Sequence, residues 1–145
     1  MMIFTPSFEY ALQALIYLAG KGNGSPVQVK DIAQAEDIPK YFLAKILNHL
    51  DHENLVKSVK GPGGGFKLSR PANRIRVSEL IDVFEGLDHL DKVCILGLDR
   101  CQEPNSCALH KEWKQFRQLL KKRVQKLTIA DMWKIRETKR DLNKK

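Results

Sequence analysis

The 145-residue chain is long enough for one domain or a small domain with an appendage, and its 43% hydrophobic and 29% charged residues are typical of a globular protein. Its apolar stretches are too short to cross a membrane, and the start of the chain lacks a secretory signal, so we expect a cytoplasmic protein with no membrane partner. The net charge of +8 indicates a polyanionic partner.

The positive charge is concentrated in two blocks. Residues 40–76 carry a net charge of +6 and residues 111–145 carry +9, whereas residues 77–110 between them carry −5. This segregation favours at least one surface that binds phosphate.

The first predicted helix spans residues 7–19 and is apolar on nearly every face, interrupted only by Glu9 and Gln13. A helix that is apolar all round is usually buried on all sides. A small domain can rarely cover such a helix alone, so we expect a second subunit to cover part of it.

Next, a short helix at residues 30–35, a turn, and a longer helix from Pro39 to about residue 53 predict a helix-turn-helix. Pro39 suits the first position of the longer helix. That helix carries an apolar stripe of Phe42, Leu43, Ile46, Leu47 and Leu50. Its polar outer face suits the major groove of DNA and consists of Lys40, Tyr41, Lys45, Asn48 and His49.

Residues 55–60 and 66–70 alternate in polarity around the sequence Gly61-Pro62-Gly63-Gly64-Gly65, which predicts a β-hairpin. A phosphate-binding loop is excluded because no Gly-Lys-Ser/Thr follows and the next element is a strand. A hairpin directly after such a helix is a wing, whose tip suits the minor groove. The wing residues expected at DNA are Lys57, Lys60, Gly63, Lys67 and Arg70.

The second half of the chain predicts a helix at residues 76–86 with Ser78 as its N-cap, an irregular loop at residues 87–106, and a long helix at residues 107–127. The long helix carries one apolar stripe, which favours packing against a symmetry mate in a homodimer. The stripe comprises Leu109, Trp113, Phe116, Leu120, Val124 and Leu127. Thr128 and Asp131 resemble a capping box for a last helix, with a frayed tail from Lys139.

These elements predict a mainly α fold with a small β-hairpin wing: a winged helix-turn-helix plus a long dimerisation helix. We divide the chain into a DNA-binding domain at residues 1–76 and a region of cysteine loop and dimerisation helices at residues 77–145. The chain shows neither a nucleophile–base pair nor a cofactor loop, so we do not expect an enzyme.

All three cysteines, Cys94, Cys101 and Cys107, fall within fourteen residues. An odd number without a signal peptide makes a poor disulfide framework. The acidic surroundings disfavour a reactive free thiol, whereas a metal would supply positive charge. Both zinc and an iron–sulfur cluster stay open, although paired zinc-site spacing is absent. A role as buried small hydrophobic residues is the alternative.

Three thiols are one ligand short of four, and two residues are candidates for the fourth. His110 follows Cys107 by three residues, which places both on one side of a helix, but it also suits a solvated position. Glu9 is the lone acid of an apolar helix, but it also suits the positive end of the helix dipole.

From Phe4 to Trp133 the sequence resembles the Rrf-two family of transcription regulators, which includes the IscR, NsrR and CymR types. Its most specific match is the wing from Leu55 to Phe66. The resemblance implies a dimeric regulator that binds double-stranded promoter DNA, with Lys60 entering the minor groove. The three cysteines match the triad that holds an iron–sulfur cluster in many members.

Within this resemblance, His110 matches the histidine that completes a 2Fe-2S site in IscR-like members, and Glu9 matches an acidic position that reaches the partner's cluster in NsrR-like members. A 2Fe-2S cluster is therefore favoured and a 4Fe-4S cluster stays open. The six-residue first cysteine interval departs from the IscR pattern, as does Ala44, where IscR-like members have a glutamate. One alternative is a regulator with a thiol or zinc switch in place of a cluster. Another is a cluster-free adaptor that binds a protein partner.

Overall fold

The computed structural model describes residues 4–22, 24–98, 100–101 and 107–144. The first three residues, in which a secretory signal would begin, lie outside the described residues. So do residues 99 and 102–106 of the predicted loop, which include every position between Cys101 and Cys107.

The described residues form six helices and one antiparallel pair of strands. In chain order these are α1 (Pro6–Lys21), α2 (Val29–Glu36), α3 (Lys40–His52), β1 (Val56–Val59), β2 (Gly65–Leu68), α4 (Val77–Phe84), α5 (His110–Lys126) and α6 (Ile129–Asn143). Short 3-10 helices at Ala72–Arg74 and Leu87–Asp91 flank α4. The predicted fold class is confirmed. None of the described helices combines the length and apolarity that a bilayer crossing requires.

The helix α1 lies at the centre of the core. The Thr5 hydroxyl accepts a hydrogen bond from the backbone N–H of Phe8 at 3.3 Å, which caps the helix start. The helix packs against α2, α3, α4 and α6 of its own chain. Its apolar character is thus explained mainly within one subunit, and the burial of α1 does not by itself require a second one.

The helix-turn-helix forms as predicted, with one shift at a boundary. Asp37 adopts a left-handed conformation (φ 53°) in the turn, and Pro39 precedes α3 rather than occupying its first position. The Pro39 carbonyl accepts the first helical hydrogen bond, from Leu43 at 2.9 Å. Four members of the apolar stripe are buried, whereas Phe42 is 36% exposed and contacts the Tyr10 ring edge-on.

The wing pairs Val56 with Leu68 through Val59 with Gly65. Val27 extends this ladder, because it exchanges two backbone hydrogen bonds of 2.8 Å with Phe66. A side chain at position 65 would approach the Val27 carbonyl oxygen to 2.3 Å, so this position requires glycine. The base of the wing is therefore held to the helix-turn-helix by backbone contacts.

Three boundaries in the second half differ from the sequence predictions. Ser78 is buried inside α4, and the Glu79 carboxylate instead accepts from the Arg76 N–H at 2.8 Å. The helix α5 begins at His110, so Cys107 precedes it. The tail does not fray at Lys139, because α6 continues to Asn143 with charge pairs such as Arg140–Glu137 along it.

The capping box of α6 is confirmed, since Thr128 and Asp131 exchange hydrogen bonds of 3.0 and 3.1 Å. A short backbone bridge joins this point to Arg76, just before α4. The main core contains residues from before and after residue 76, including Leu15 of α1 and Val124 of α5. The domain division at residue 76 stays a prediction.

Candidate functional site

The outer face of α3 presents the predicted polar side chains to solvent. Lys40, Tyr41, Lys45 and Asn48 are exposed, and the Tyr41 side chain is 76% exposed. The Lys45 ammonium lies 4.6 Å from the centroid of the Tyr41 ring, a cation–π arrangement. Because the opposite face of α3 packs into the core, this face is held rigidly at the surface.

The wing places two positive charges opposite each other, which is unfavourable for the stability of the sheet. Lys57 and Lys67 are direct partners across the two strands. Like charges in this position repel each other and destabilise a strand pair. Lys60 is exposed just after β1, and Gly63 lies in the tip with φ 74°. Such an arrangement is typical of a surface that binds an anion.

Arg70 does not join this surface. Its guanidinium forms an ion pair with Glu79 and donates to the backbone carbonyls of Arg74 at 3.0 Å and Asn54 at 3.3 Å. These contacts hold the end of the wing against α4. Arg70 thus has a structural role that its basic character in the sequence did not indicate.

Two further lysines, which the sequence analysis missed, lie beside the wing. A groove of about 860 Å³ runs between the wing glycines and α2, and Lys21 and Lys30 line it. Lys30 is in the first turn of α2, where a helix-turn-helix passes close to the DNA backbone. Its position at the start of the first helix of the motif was the available sequence signal.

The cysteine site is assembled from the loop after α4 and the start of α5. Cys94 is buried, and its thiol lies close enough to that of Cys107 for each to affect the pKa of the other. A backbone hydrogen bond from Leu98 is the main cause that lowers the pKa of Cys94. A backbone hydrogen bond from Leu109 acts in the same direction on Cys107, but burial and the neighbouring cysteines outweigh it and raise the pKa of that thiol.

Cys101 lies between two buried nitrogen-bearing side chains of α5. Its Sγ is 3.0 Å from Nδ1 of His110 and accepts a hydrogen bond of 3.2 Å from the Arg117 guanidinium. His110 is 8% exposed and Arg117 only 6% exposed. Asp91 contacts Arg117 from the other side, with Nε 3.6 Å from Oδ1.

This arrangement corrects the sequence argument that acidic surroundings leave these thiols without positive neighbours. The loop is acidic, but α5 brings Arg117 to Cys101 across 16 residues of sequence. Positively charged neighbours stabilise a sulfur anion or a metal-bound sulfur.

The loop is fastened to α5 by Trp113. The buried indole N–H donates a hydrogen bond of 2.7 Å to the carbonyl of Val93, the residue before Cys94. Further back, the Cys101 N–H donates to the Lys92 carbonyl at 3.1 Å. The cysteine loop and α5 therefore form one connected unit.

The two candidates for a fourth ligand lie in different surroundings. The His110 ring faces Cys101, while its backbone N–H donates to the Cys107 carbonyl at 3.1 Å, so the predicted placement of both residues on one helix face is replaced by a turn. Glu9 is exposed in the first turn of α1.

The donor set has the chemistry of an iron–sulfur site, since thiolates and imidazoles are ligands of such clusters. In the part of the chain that the structure describes, no three His, Cys, Asp or Glu side chains converge on one ion position. Cys94 and Cys101 both act on the pKa of Cys107, and Cys101 contacts His110, so the four groups lie in one region.

The predicted apolar stripe of α5 divides between core and solvent. Trp113 and Val124 are buried in this chain, whereas Leu109 and Phe116 are exposed, as is Leu119 beside them. The exposed members form an apolar face along the first three turns of α5.

Comparison with known proteins now places the chain. The family described as "Rrf2: Iron-dependent Transcriptional regulator" matches residues 4–135. The chain belongs to the Rrf2 family. It is therefore a DNA-binding transcriptional regulator and not an enzyme.

Related proteins are found in several bacteria. A putative HTH-type transcriptional regulator of Aquifex aeolicus is 36% identical over 94% of both chains. The regulator IscR of Yersinia pseudotuberculosis is 28% identical over 90% of this chain and 79% of its own.

Among solved structures, CymR, the global cysteine regulator of B. subtilis, is 26% identical with a TM-score of 0.77, covering 93% of this chain and 98% of that one. IscR of T. potens is 25% identical with a TM-score of 0.69, covering 92% and 87%.

Proposed function

We propose that this Rrf2 regulator binds a promoter operator as a cytoplasmic homodimer, and that an iron–sulfur cluster held by Cys94, Cys101 and Cys107 controls this binding. The observation that carries the proposal is that Cys101 contacts His110 at 3.0 Å in a unit attached to α5 that also contains Cys94 and Cys107.

The DNA contacts are assigned to α3 and the wing. Lys40, Tyr41, Lys45 and Asn48 would enter the major groove, since they are exposed on the helix that a helix-turn-helix inserts there. Lys60, Lys67 and Gly63 would bind the backbone and the minor groove. The repulsion between Lys57 and Lys67 is relieved when phosphates lie beside the strands.

The second copy is assigned to the apolar face of α5. Leu109, Phe116 and Leu119 are too large and too close together to be typical solvent-exposed residues. A symmetric dimer buries such a face against itself. Two operator-reading helices would then be held at a fixed separation, which α5 sets.

The cofactor is assigned to the cysteine site, with His110 as the fourth ligand if it comes from the same chain and Glu9 if it comes from the partner. A bound cluster supplies electron transfer or a reversible cross-link. A change in the occupancy or oxidation state of the cluster would shift the loop at Val93. The hydrogen bond from Trp113 to Val93 would transmit this shift to α5. A coupling free energy of about 1–3 kcal/mol would change operator affinity about 5–150-fold.

The first test is anaerobic purification followed by iron and acid-labile sulfide analysis and a visible spectrum. We expect coloured protein for the native chain and loss of colour for Cys94→Ala. Ser58→Ala, on the exposed edge of the wing, controls for handling. Colourless native protein with one zinc per chain would overturn the cluster.

The fourth ligand is tested by comparing visible spectra of His110→Ala and Glu9→Ala. A changed spectrum in His110→Ala assigns the fourth ligand to His110 of the same chain. A changed spectrum in Glu9→Ala assigns it to Glu9 of α1. Unchanged spectra in both would remove both residues from the site.

The DNA contact of the wing is tested with Lys60→Ala. Loss of one phosphate contact should weaken binding and reduce the slope of log affinity against log salt by about 0.9. Lys139→Ala, on the exposed part of α6 away from the wing, is the control. An unchanged slope for Lys60→Ala would remove the wing contact.

A thiol switch on the same fold is the second candidate, because the Cys94 and Cys107 thiols lie near enough to affect each other's pKa. One solved relative is named as the oxidized form of CymR from Staphylococcus aureus, at 23% identity. Under this alternative, mild oxidation changes operator affinity in protein that contains no iron.

A further inference from the structure

A buried arginine contacts the cysteine site without being one of its candidate ligands. Arg117 lies almost two turns after His110 on α5 and is 6% exposed. A buried charge needs a partner, because burial in a low dielectric is costly. The partners of Arg117 are the sulfur of Cys101 and the carboxylate of Asp91.

Asp91 does not belong to Arg117 alone. Its Oδ2 accepts a hydrogen bond of 2.7 Å from the Lys121 ammonium, which also approaches Asp88 at 3.7 Å. Lys121 follows Arg117 by one helical turn. The carboxylate is thus fixed from α5 and in turn orients the guanidinium toward Cys101.

The hydrogen bond to Cys101 has a chemical consequence that the ion pair does not. Hydrogen bonds to ligand sulfurs and the net charge around a cluster set its reduction potential. A positive donor on the sulfur stabilises the more negative, reduced state. Because the site is buried, the interaction is screened less than at a surface.

We propose that Arg117 is a positioning residue that raises the reduction potential of the cysteine site through its hydrogen bond to Cys101, and that Asp91 holds it in place. This inference rests on the proposed cluster. In the reduction, an external reductant such as dithionite donates one electron, and no bond of Cys101 is formed or broken.

The test is a redox titration of anaerobically purified protein, followed by visible absorption. Arg117→Gln removes the charge and Arg117→Lys retains it with a different geometry. Lys122→Gln is the control for charge, since it removes one positive charge from an exposed position of the same helix. Asp91→Asn removes the carboxylate that orients Arg117, and Asp88→Asn is its control, since it removes a neighbouring carboxylate that contacts Lys121.

We expect the potential to move to more negative values in Arg117→Gln, by more than in Lys122→Gln, with Arg117→Lys in between. We expect the potential of Asp91→Asn to be more negative than that of Asp88→Asn. Iron and sulfide content, measured on the same samples, shows that each variant retains the group. If Arg117→Gln does not fold, the comparisons of Arg117→Lys with Lys122→Gln and of Asp91→Asn with Asp88→Asn still test the role.

Equal potentials for Arg117→Gln and Lys122→Gln, in proteins with full iron content, would overturn the role of Arg117 and leave the proposed function intact. Equal potentials for Arg117→Lys and the native chain, together with equal potentials for Asp91→Asn and Asp88→Asn, would do the same. A native protein that contains no iron and sulfide overturns both proposals.

Discussion

The DNA-binding face and the cysteine site are built in opposite ways. On α3, the side chains proposed to bind DNA are exposed, and the residues that hold the fold lie on the other side of the helix. At the cysteine site, Cys94, His110 and Arg117 are themselves buried. Function and stability are therefore carried by different residues at the first site and by the same residues at the second.

The largest expected effect tests this difference at Trp113. Trp113→Ala removes a buried ring and should lower the free energy of unfolding by about 3–5 kcal/mol. The same variant should lose cluster retention, because the ring fastens Val93 to α5. Denaturant unfolding and iron content measure the two losses.

Trp113→Phe separates the ring from its hydrogen bond. It retains most of the apolar contact but leaves the Val93 carbonyl without its donor, a cost of about 1–3 kcal/mol. If Trp113→Ala retained native iron content despite its lost stability, the cysteine site would be independent of the fold around it, and the contrast between the two regions would disappear.

How far the sequence predicts each region follows from the same contrast. The faces of α3 follow from helical periodicity, and the wing follows from its glycines, because both are local patterns. The cysteines were found by their clustering. Arg117 could not be predicted in this way, because it is 16 residues from Cys101 in the sequence and lies on a different element. The net charge of the loop does not include it.

The predicted starts of α4 and α5 were wrong for a related reason. Ser78 is a good N-cap residue, but tertiary packing buries it, and Glu79 reaches back to Arg76 instead. Cys107 was placed on α5 because its spacing to His110 fits a helix, whereas the chain makes a turn there. In both cases the predicted helix start lies only one to three residues from the observed one.

An intermediate effect is expected where the two regions join. The start of α6 lies beside the backbone bridge to Arg76, so its capping box holds this junction. Thr128→Ala should lower the free energy of unfolding by about 0.5–2 kcal/mol. Thermal melts at neutral pH measure it, and no loss would show that the bridge holds the junction without the cap.

The junction should also respond to pH. The backbone N–H of Thr128, and then its hydroxyl, lower the pKa of Asp131 below its ordinary value. A carboxylate with a lowered folded-state pKa stabilises the protein above its ordinary pKa of about 3.9, and this contribution is lost as the pH falls through the folded-state pKa. Asp131→Asn should therefore lose less stability than the native chain between pH 6 and pH 3. Asp141→Asn, at the far end of α6, is the control, and parallel losses in all three proteins would contradict the assignment.

The smallest expected effect on stability belongs to the wing, where the contrast predicts a change of opposite sign. Lys57→Ala removes the repulsion across the strands from Lys67 and should raise the free energy of unfolding slightly, by at most about 1 kcal/mol. The same change should weaken operator binding, because an exposed phosphate contact is lost. Thermal melts and salt-dependent binding distinguish these outcomes. A variant that is both less stable and unchanged in DNA affinity would show that Lys57 serves the fold, as the buried residues of the cysteine site do.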